Sequence, residues 1–333
     1  MLMTASLRAR LILILLLAVL VPRRLRACDM CSIYSAVQLR DATSGVAVGV
    51  AQQFTHFGTL QLDGDEVPNP GNERMESSIS QLVVAYAPIE SIGLQANLPV
   101  IARHYRRNVN GGSEKGTKSG IGDASFLLRY QPIALVEPER SLYGSLLVGV
   151  KVPTGDSDAL GDESGTQTAT VHGPRPRHDT GGPLPSGIHG HDLALGSGSL
   201  DAFFGADTNF VWQRFFVTAS IQYRLRNTGS FDYRYADELD ASINPGFFLF
   251  AEHGYTLAGL ALLETETKGK DQTNGAPEND TALTALYAGP ALRFTWYRGL
   301  SFDLGGLLPA IRNNSGLQVV PDYRIRAALF WHF

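Results

Sequence analysis

No apolar run in this sequence is long enough to cross a bilayer as a helix. The longest, Leu11 to Val21, is about half of the roughly 20 residues such a helix needs. Together with a mean hydropathy of -0.04 and only 4 Met, this excludes a bundle of membrane helices. Cysteine is also scarce, with two in 333 residues, so no disulfide scaffold can hold the fold. A surplus of positive charge is lacking too: the formal net charge is -4, which gives no electrostatic reason to expect a nucleic-acid partner. Phosphate-cradling glycine loops, zinc-protease helices and basic nucleic-acid motifs do not occur. No Ser, His and acid set stands at a spacing that would assemble a nucleophile, although His104, His253 and His332 lie at strand ends. The sequence therefore predicts no enzyme and no cofactor.

The terminal position of Leu11–Val21 behind Arg8 and Arg10 predicts a secretory signal over residues 1–27. Cleavage after Ala27 would leave Cys28 as the first mature residue, although Leu25 and the basic stretch Pro22-Arg23-Arg24-Leu25-Arg26 make a poor cleavage region. A short periplasmic segment, 28–44, follows with Cys28 and Cys31 as a Cys-x-x-Cys. In an oxidising compartment this pair reads as a local disulfide or an inert pair. Ser32 stands where haem attachment needs His, a metal site would need two further ligands, and lipidation of Cys28 is a third reading.

What is present suits pleated surfaces and turns: 35 Gly, 16 Phe and 12 Tyr. Past residue 40 the apolar pattern has period two. Val217, Ala219, Ile221, Tyr223 and Leu225 oppose Thr218, Ser220, Gln222, Arg224 and Arg226. At the end of the chain Ile325, Ala327, Leu329, Trp331 and Phe333 oppose Arg324, Arg326, Ala328 and His332. About twelve such segments occur, each near the ~9–11 residues a tilted strand needs to cross a bilayer. They are 45–57, 77–87, 91–103, 120–131, 142–153, 199–212, 214–227, 239–251, 254–265, 282–295, 299–310 and 321–333. Alternation is poor in 77–87, 254–265 and 282–295.

The joints alternate as well. Pro88-Ile89-Glu90, Gln213, Glu252-His253 and Tyr297-Arg298 are tight, with 132–141 the least tidy of this set. The others, 58–76, 104–119, 154–198, 228–238, 266–281 and 311–320, are longer and polar. The pattern predicts an all-β fold, a transmembrane antiparallel up-and-down β-barrel of about twelve strands over 45–333, with short turns on one rim and a long extracellular loop 154–198. A soluble β-sandwich shares the alternation, but its strands are nearer ~5–6 residues and nothing in it lengthens every second loop. Tyr86, Tyr130, Trp212, Phe215, Tyr255, Trp296, Trp331 and Phe333 lie near strand ends, as in the aromatic girdles of outer-membrane barrels. The terminal Phe333 resembles the C-terminal signature read by the outer-membrane assembly machinery.

Three stretches carry a family resemblance: Gly120-Ile121-Gly122-Asp123 leading into Ala124 to Tyr130, Val148-Gly149-Val150-Lys151-Val152-Pro153-Thr154-Gly155-Asp156, and Leu195-Gly196-Ser197-Gly198-Ser199 leading into Asp201. In these the chain resembles the outer-membrane family described as meta-pathway phenol-degradation proteins. The resemblance covers about 120–210. It implies a Gram-negative outer-membrane barrel associated with passage of aromatic or other small hydrophobic solutes. Cys28, Cys31 and the His-bearing loop are not part of that pattern.

Inward positions would carry Arg129, Lys151, Arg224, Arg226, Arg293, Arg324 and Arg326 with Asp123, Asp201, Asp207, Asp240, Glu264 and Asp303. Charges there require a wet lumen or cross-strand pairs, so these residues predict either a selectivity surface or an ion-paired filling. In the long loop His172, His178, His189, His191 and Asp192 could bind a soft divalent metal. Two other readings are a solvated loop and a loop folded in to constrict the pore. The sequence thus predicts a passive channel or uptake pore whose partners are outer-membrane lipid and a small-molecule solute. A barrel-borne hydrolase and a metal-capturing surface protein are the alternatives.

Overall fold

A computed structural model describes residues 45–109, 112–164, 186–296 and 299–333. The signal segment, Cys28, Cys31, His172 and His178 lie outside these. The main strands are β1 (Gly45–Leu62), β2 (Arg74–Ile89), β3 (Ile92–Val109), β4 (Gly112–Ile121), β5 (Ala124–Glu137), β6 (Arg140–Val152) and β7 (Asp201–Trp212). They continue as β8 (Phe215–Leu225), β9 (Glu238–Glu252), β10 (Tyr255–Lys268), β11 (Leu283–Trp296), β12 (Leu300–Asn314) and β13 (Leu317–His332). Each pairs antiparallel with its sequence neighbour, save that β4 and β5 both lie on β3 and share one place in the wall. The ring closes where β1 meets β13, from Ala47 opposite His332 to Leu62 opposite Leu317. The result is a closed antiparallel barrel of twelve strand places among the described residues.

Closure follows from the sequence pattern. Every backbone N–H and C=O of a strand in hydrocarbon must find a partner in the wall, and only a ring leaves no bare edge. The outward set of each strand is apolar and exposed: Val48, Leu82, Leu94, Phe126, Val148, Phe204, Ile221, Leu292 and Leu329 among others. The alternating partners point inward and are buried, as with Thr218, Gln222 and Arg224 on β8 and Arg324 and Ala328 on β13. Trp212, Phe215, Tyr255, Trp296 and Trp331 ring the short-turn rim, where amphipathic rings bridge lipid and water. Leu128 sits in the outward band, 40 % exposed. Leu128→Arg is therefore expected to lower barrel stability by about 2–4 kcal/mol, because the charge must stand in hydrocarbon. Urea titration in lipid vesicles measures it, and an unchanged midpoint would show that this face is wet.

The predicted segments all occur, but several boundaries move. β1, β3, β10 and β12 run further than predicted, and β2 and β13 start earlier, so the long polar joints are shorter than they look. Residues 104–119 are mostly hairpin, with Arg103 opposite Lys118 and Asn108 opposite Ser113. These extensions have no lipid face, so polar side chains suit both sides and period two fades while the ladder continues. The joint 132–141 is corrected in the same sense: β5 and β6 pair down to Glu137 opposite Arg140, leaving a two-residue turn. Alternation fails in β2, β10 and β11 for a different reason. Their inward positions are apolar too: Met75, Ile79 and Val83 on β2, Ala258 and Leu260 on β10, and Leu283, Ala285 and Tyr287 on β11.

Within the long joint between β6 and β7 two short helices form, α1 (Gly161–Ser164) and α2 (Gly190–Leu193). Ile188 and Leu193 pack on Phe57, Leu60, Met75, Leu317 and Val319. Leu195 reaches Ala51, Ile79, Val83, Ile101, Ala328 and Phe330. Those contacts belong to β1, β2, β3 and β13. From the other side of the ring, Tyr233 and Tyr235 pack on Ala194 and Leu160. Residues 186–195 therefore cross the mouth of the barrel from wall to wall, which is the fold-in reading of this loop.

Candidate functional site: the barrel interior and its plug

Strand register places the inward charges opposite one another. Lys151 on β6 stands across from Asp201 on β7, and Arg293 on β11 across from Asp303 on β12. Lys151 Nζ lies 2.5 Å from Asp123 and 3.0 Å from Asp201, and donates to the Ser197 hydroxyl. Asp201 also accepts from Arg226 at 3.0 Å, and Arg226 continues to Glu238 at 2.8 Å. Arg224 lies 3.9 Å from Glu238 and 3.5 Å from Asp240. The result is one continuous ladder of charge over five neighbouring elements, with Asp201 only 1 % exposed.

Smaller pairs sit elsewhere on the wall. Arg324 forks onto Glu266 at 2.7 and 2.9 Å, with its guanidinium 3.9 Å from the Tyr287 ring centre. Arg326 reaches Glu264 at 2.6 Å and Gln53 at 2.7 Å. Arg129 lies 3.7 Å from Asp207, and Arg293 grips Asp303 through two bonds of 2.7 Å. Each of Arg129, Lys151, Asp201, Asp207, Arg224, Arg226, Arg293, Asp303, Arg324 and Arg326 thus has a partner of opposite charge. A buried ion that kept no partner would be far more costly than these pairs.

Beneath the plug lies a pocket with about 650 Å3 of empty space, part of it open to solvent. Ile79, Pro99, Ile101, Leu195 and Phe203 give it an apolar side, and Lys151, Arg224, Arg226 and Asp123 a charged one. Leu195 descends from the plug to cap it. The plug itself is fastened by polar bonds that sequence reading passed over. Glu73 accepts from the Ser186 hydroxyl at 2.7 Å, the Gly187 N–H at 2.9 Å and the Asn108 N–H at 2.5 Å. Arg103 donates to the carbonyls of Asp192 and, at 2.8 Å, Ala194. Glu73 stands in a joint read as solvated loop, and Arg103 at the end of the predicted segment 91–103. Only their burial, 1 % and 2 % exposed, marks them, and burial has no trace in the sequence.

Of the five residues considered for metal, His189, His191 and Asp192 come together around α2. His191 is buried and lies 3.1 Å from Glu163 and 3.4 Å from Asp192. Burial works against charge on its ring, but Asp192 and Glu163 outweigh that and raise the imidazole to about 9. Glu163 is held well below the usual carboxylate range; burial opposes this, and His191 overrides it. The His104 ring nitrogen meets the Thr117 hydroxyl at 2.8 Å on the exposed hairpin, and Glu76 stands opposite it on β2.

No family model matches the sequence, and no curated protein does. Solved structures do. The COG4313 outer membrane channel from Pseudomonas putida F1 is similar at 15 % identity with a TM-score of 0.61, over 90 % of this chain and 100 % of that one. The transport unit of the autotransporter AIDA-I from Escherichia coli matches at 9 % identity and a TM-score of 0.44, over 90 % and 93 % of the two chains. The translocator domain of the autotransporter NalP from Neisseria meningitidis matches at 12 % and 0.43, over 89 % and 91 %. The first of these likenesses establishes the barrel fold.

Proposed function

We propose that the protein is a bacterial outer-membrane channel that passes small aromatic or other hydrophobic solutes down their gradients. The observation that carries this reading is the lumenal pocket, with Ile79, Ile101 and Phe203 on one side and the paired charges of Lys151, Arg224, Arg226 and Asp123 on the other. An aromatic ring would lie against the first set and a polar substituent against the second. Arg129, Asp207, Arg293, Asp303, Arg324 and Arg326 extend the same charged lining along the wall. The apolar belt supplies the contact with outer-membrane lipid. Phe333 packs at a tilt against Trp331, 4.6 Å between ring centres, beside the closing strand pair and accessible to an assembly factor. The similar COG4313 protein is itself described as an outer membrane channel. The meta-pathway resemblance points to the same solute class.

The test is solute swelling of proteoliposomes across aromatic compounds, fatty acids and sugars. Aromatic compounds are expected to enter faster than sugars of equal size, and Phe203→Ala to reduce that preference. Equal rates for all compounds would leave a non-selective pore. No swelling, with no single-channel conductance in a planar bilayer, would end the channel reading in favour of a barrel-borne hydrolase, whose lipid- or peptide-cleaving activity would be lost on replacing one His.

A further inference from the structure

The cluster around α2 has the chemistry of a metal site, in a plug that the channel reading uses only as a stopper. We propose that His189, His191 and Asp192 bind a divalent transition-metal ion of the zinc class. One ligand atom from each residue lies within 4.8 Å of those from the other two. Neighbouring ligands around a tetrahedral ion stand about 3.4 Å apart, so small side-chain rotations close the set.

The geometry of the imidazoles selects which nitrogens face the ion. His189 Nε2 lies 3.1 Å from Asp280, and His191 Nδ1 lies 3.1 Å from Glu163. Each ring is thus oriented by an outer carboxylate, the arrangement that fixes metal-binding histidines. Their remaining nitrogens converge on Asp192: His189 Nδ1 at 3.8 Å and His191 Nε2 at 3.4 Å. His189 Nδ1 is buried and has no hydrogen-bond partner. That orphaned atom, aimed at a carboxylate beyond hydrogen-bonding distance, is what an ion between them would satisfy.

The frame is built before any ion arrives. The His189 N–H donates to Asp192 at 2.9 Å, the Tyr235 hydroxyl donates to the His191 carbonyl at 3.0 Å, and Arg103 donates to the Asp192 carbonyl. The two imidazole rings lie nearly parallel, 5.4 Å apart. Two imidazoles and one carboxylate suit zinc, copper or nickel, whereas magnesium and calcium require an oxygen cage. Three protein ligands leave a fourth position for water or solute. Asp280, which orients the His189 ring, belongs to the joint between β10 and β11, so the frame of the site includes a second element of the rim.

Titration calorimetry on the full chain, purified in detergent and stripped with a chelator, tests this with zinc and with magnesium alone. One zinc per chain and no magnesium is the expected result. His189→Gln with His191→Gln should weaken zinc at least tenfold, and Glu163→Gln by about 10–100-fold through loss of ring orientation. His172→Gln with His178→Gln should leave the affinity unchanged. Absence of saturable zinc binding by the parent chain would overturn the proposal, as would affinity retained in the His189/His191 variant or lost in the His172/His178 variant. Should the double variant fail to assemble, Asp192→Asn carries the same expectation. None of these readouts requires conduction, so they stand or fall separately from the channel reading.

Discussion

Asp201→Asn is expected to destabilise the barrel by about 3 kcal/mol, measured as the urea midpoint of the protein in lipid vesicles. Removing one partner from a buried ion pair costs about 3–5 kcal/mol, because the remaining charge is stranded away from water. Asp201 serves two cations at once, Lys151 and Arg226, each at 3.0 Å. The effect falls at the low end of the range because Lys151 keeps Asp123 and Arg226 keeps Glu238. The contrast is Glu137→Gln on the exposed hairpin between β5 and β6. Its partner Arg140 is 62 % exposed in its side chain, and solvent replaces the lost contact, so no measurable change is expected there. If both substitutions shift the midpoint equally, the interior ladder is hydrated and the charges line an open aqueous pore.

The second large effect concerns passage. Replacing residues 157–196 by a short Gly-Ser linker is expected to raise single-channel conductance several-fold, since α2 and Leu195 cross the mouth and cap the pocket. A milder form of the same test is Leu193→Ala. Leu193 is 2 % exposed against Phe57, Leu60 and Val319, and loss of such a side chain costs about 2–5 kcal/mol of docking. The plug then detaches part of the time, and conductance should flicker between two levels. Unchanged conductance in the linker variant would place the constriction in the wall itself.

How far the sequence reveals this molecule depends on whether a strand has lipid on one side. On β8 and β13, Ile221 and Leu329 face hydrocarbon while Gln222 and Arg324 face the lumen, and the pattern is plain. On β2 and β11 the inward positions are Ile79, Val83 and Tyr287, which pack against the plug or one another. Apolar residues then occupy both faces, and period two disappears. The charged lining was legible for the same reason that β8 was, since a charge opposite an apolar residue in a spanning strand can only point inward. Its partners were less so. Glu266 and Lys268 fall past the visible end of their alternation, and Glu73, which fastens the plug, sits in a joint. His189, His191 and Asp192 could be listed from their spacing, but Glu163 and Asp280 are brought to them by folding across 28 residues in one direction and about 90 in the other.

The pairing of β1 with β13 sets the timetable of assembly. Ala47 and His332 are neighbours in space and come from opposite ends of the described chain, so the longest loop must close last. Until the final strand has been synthesised and exported, both margins of the sheet remain sticky templates for any passing strand. An incomplete chain therefore cannot seal its own ring. A truncation anywhere within the last strand condemns the whole product rather than its final segment alone.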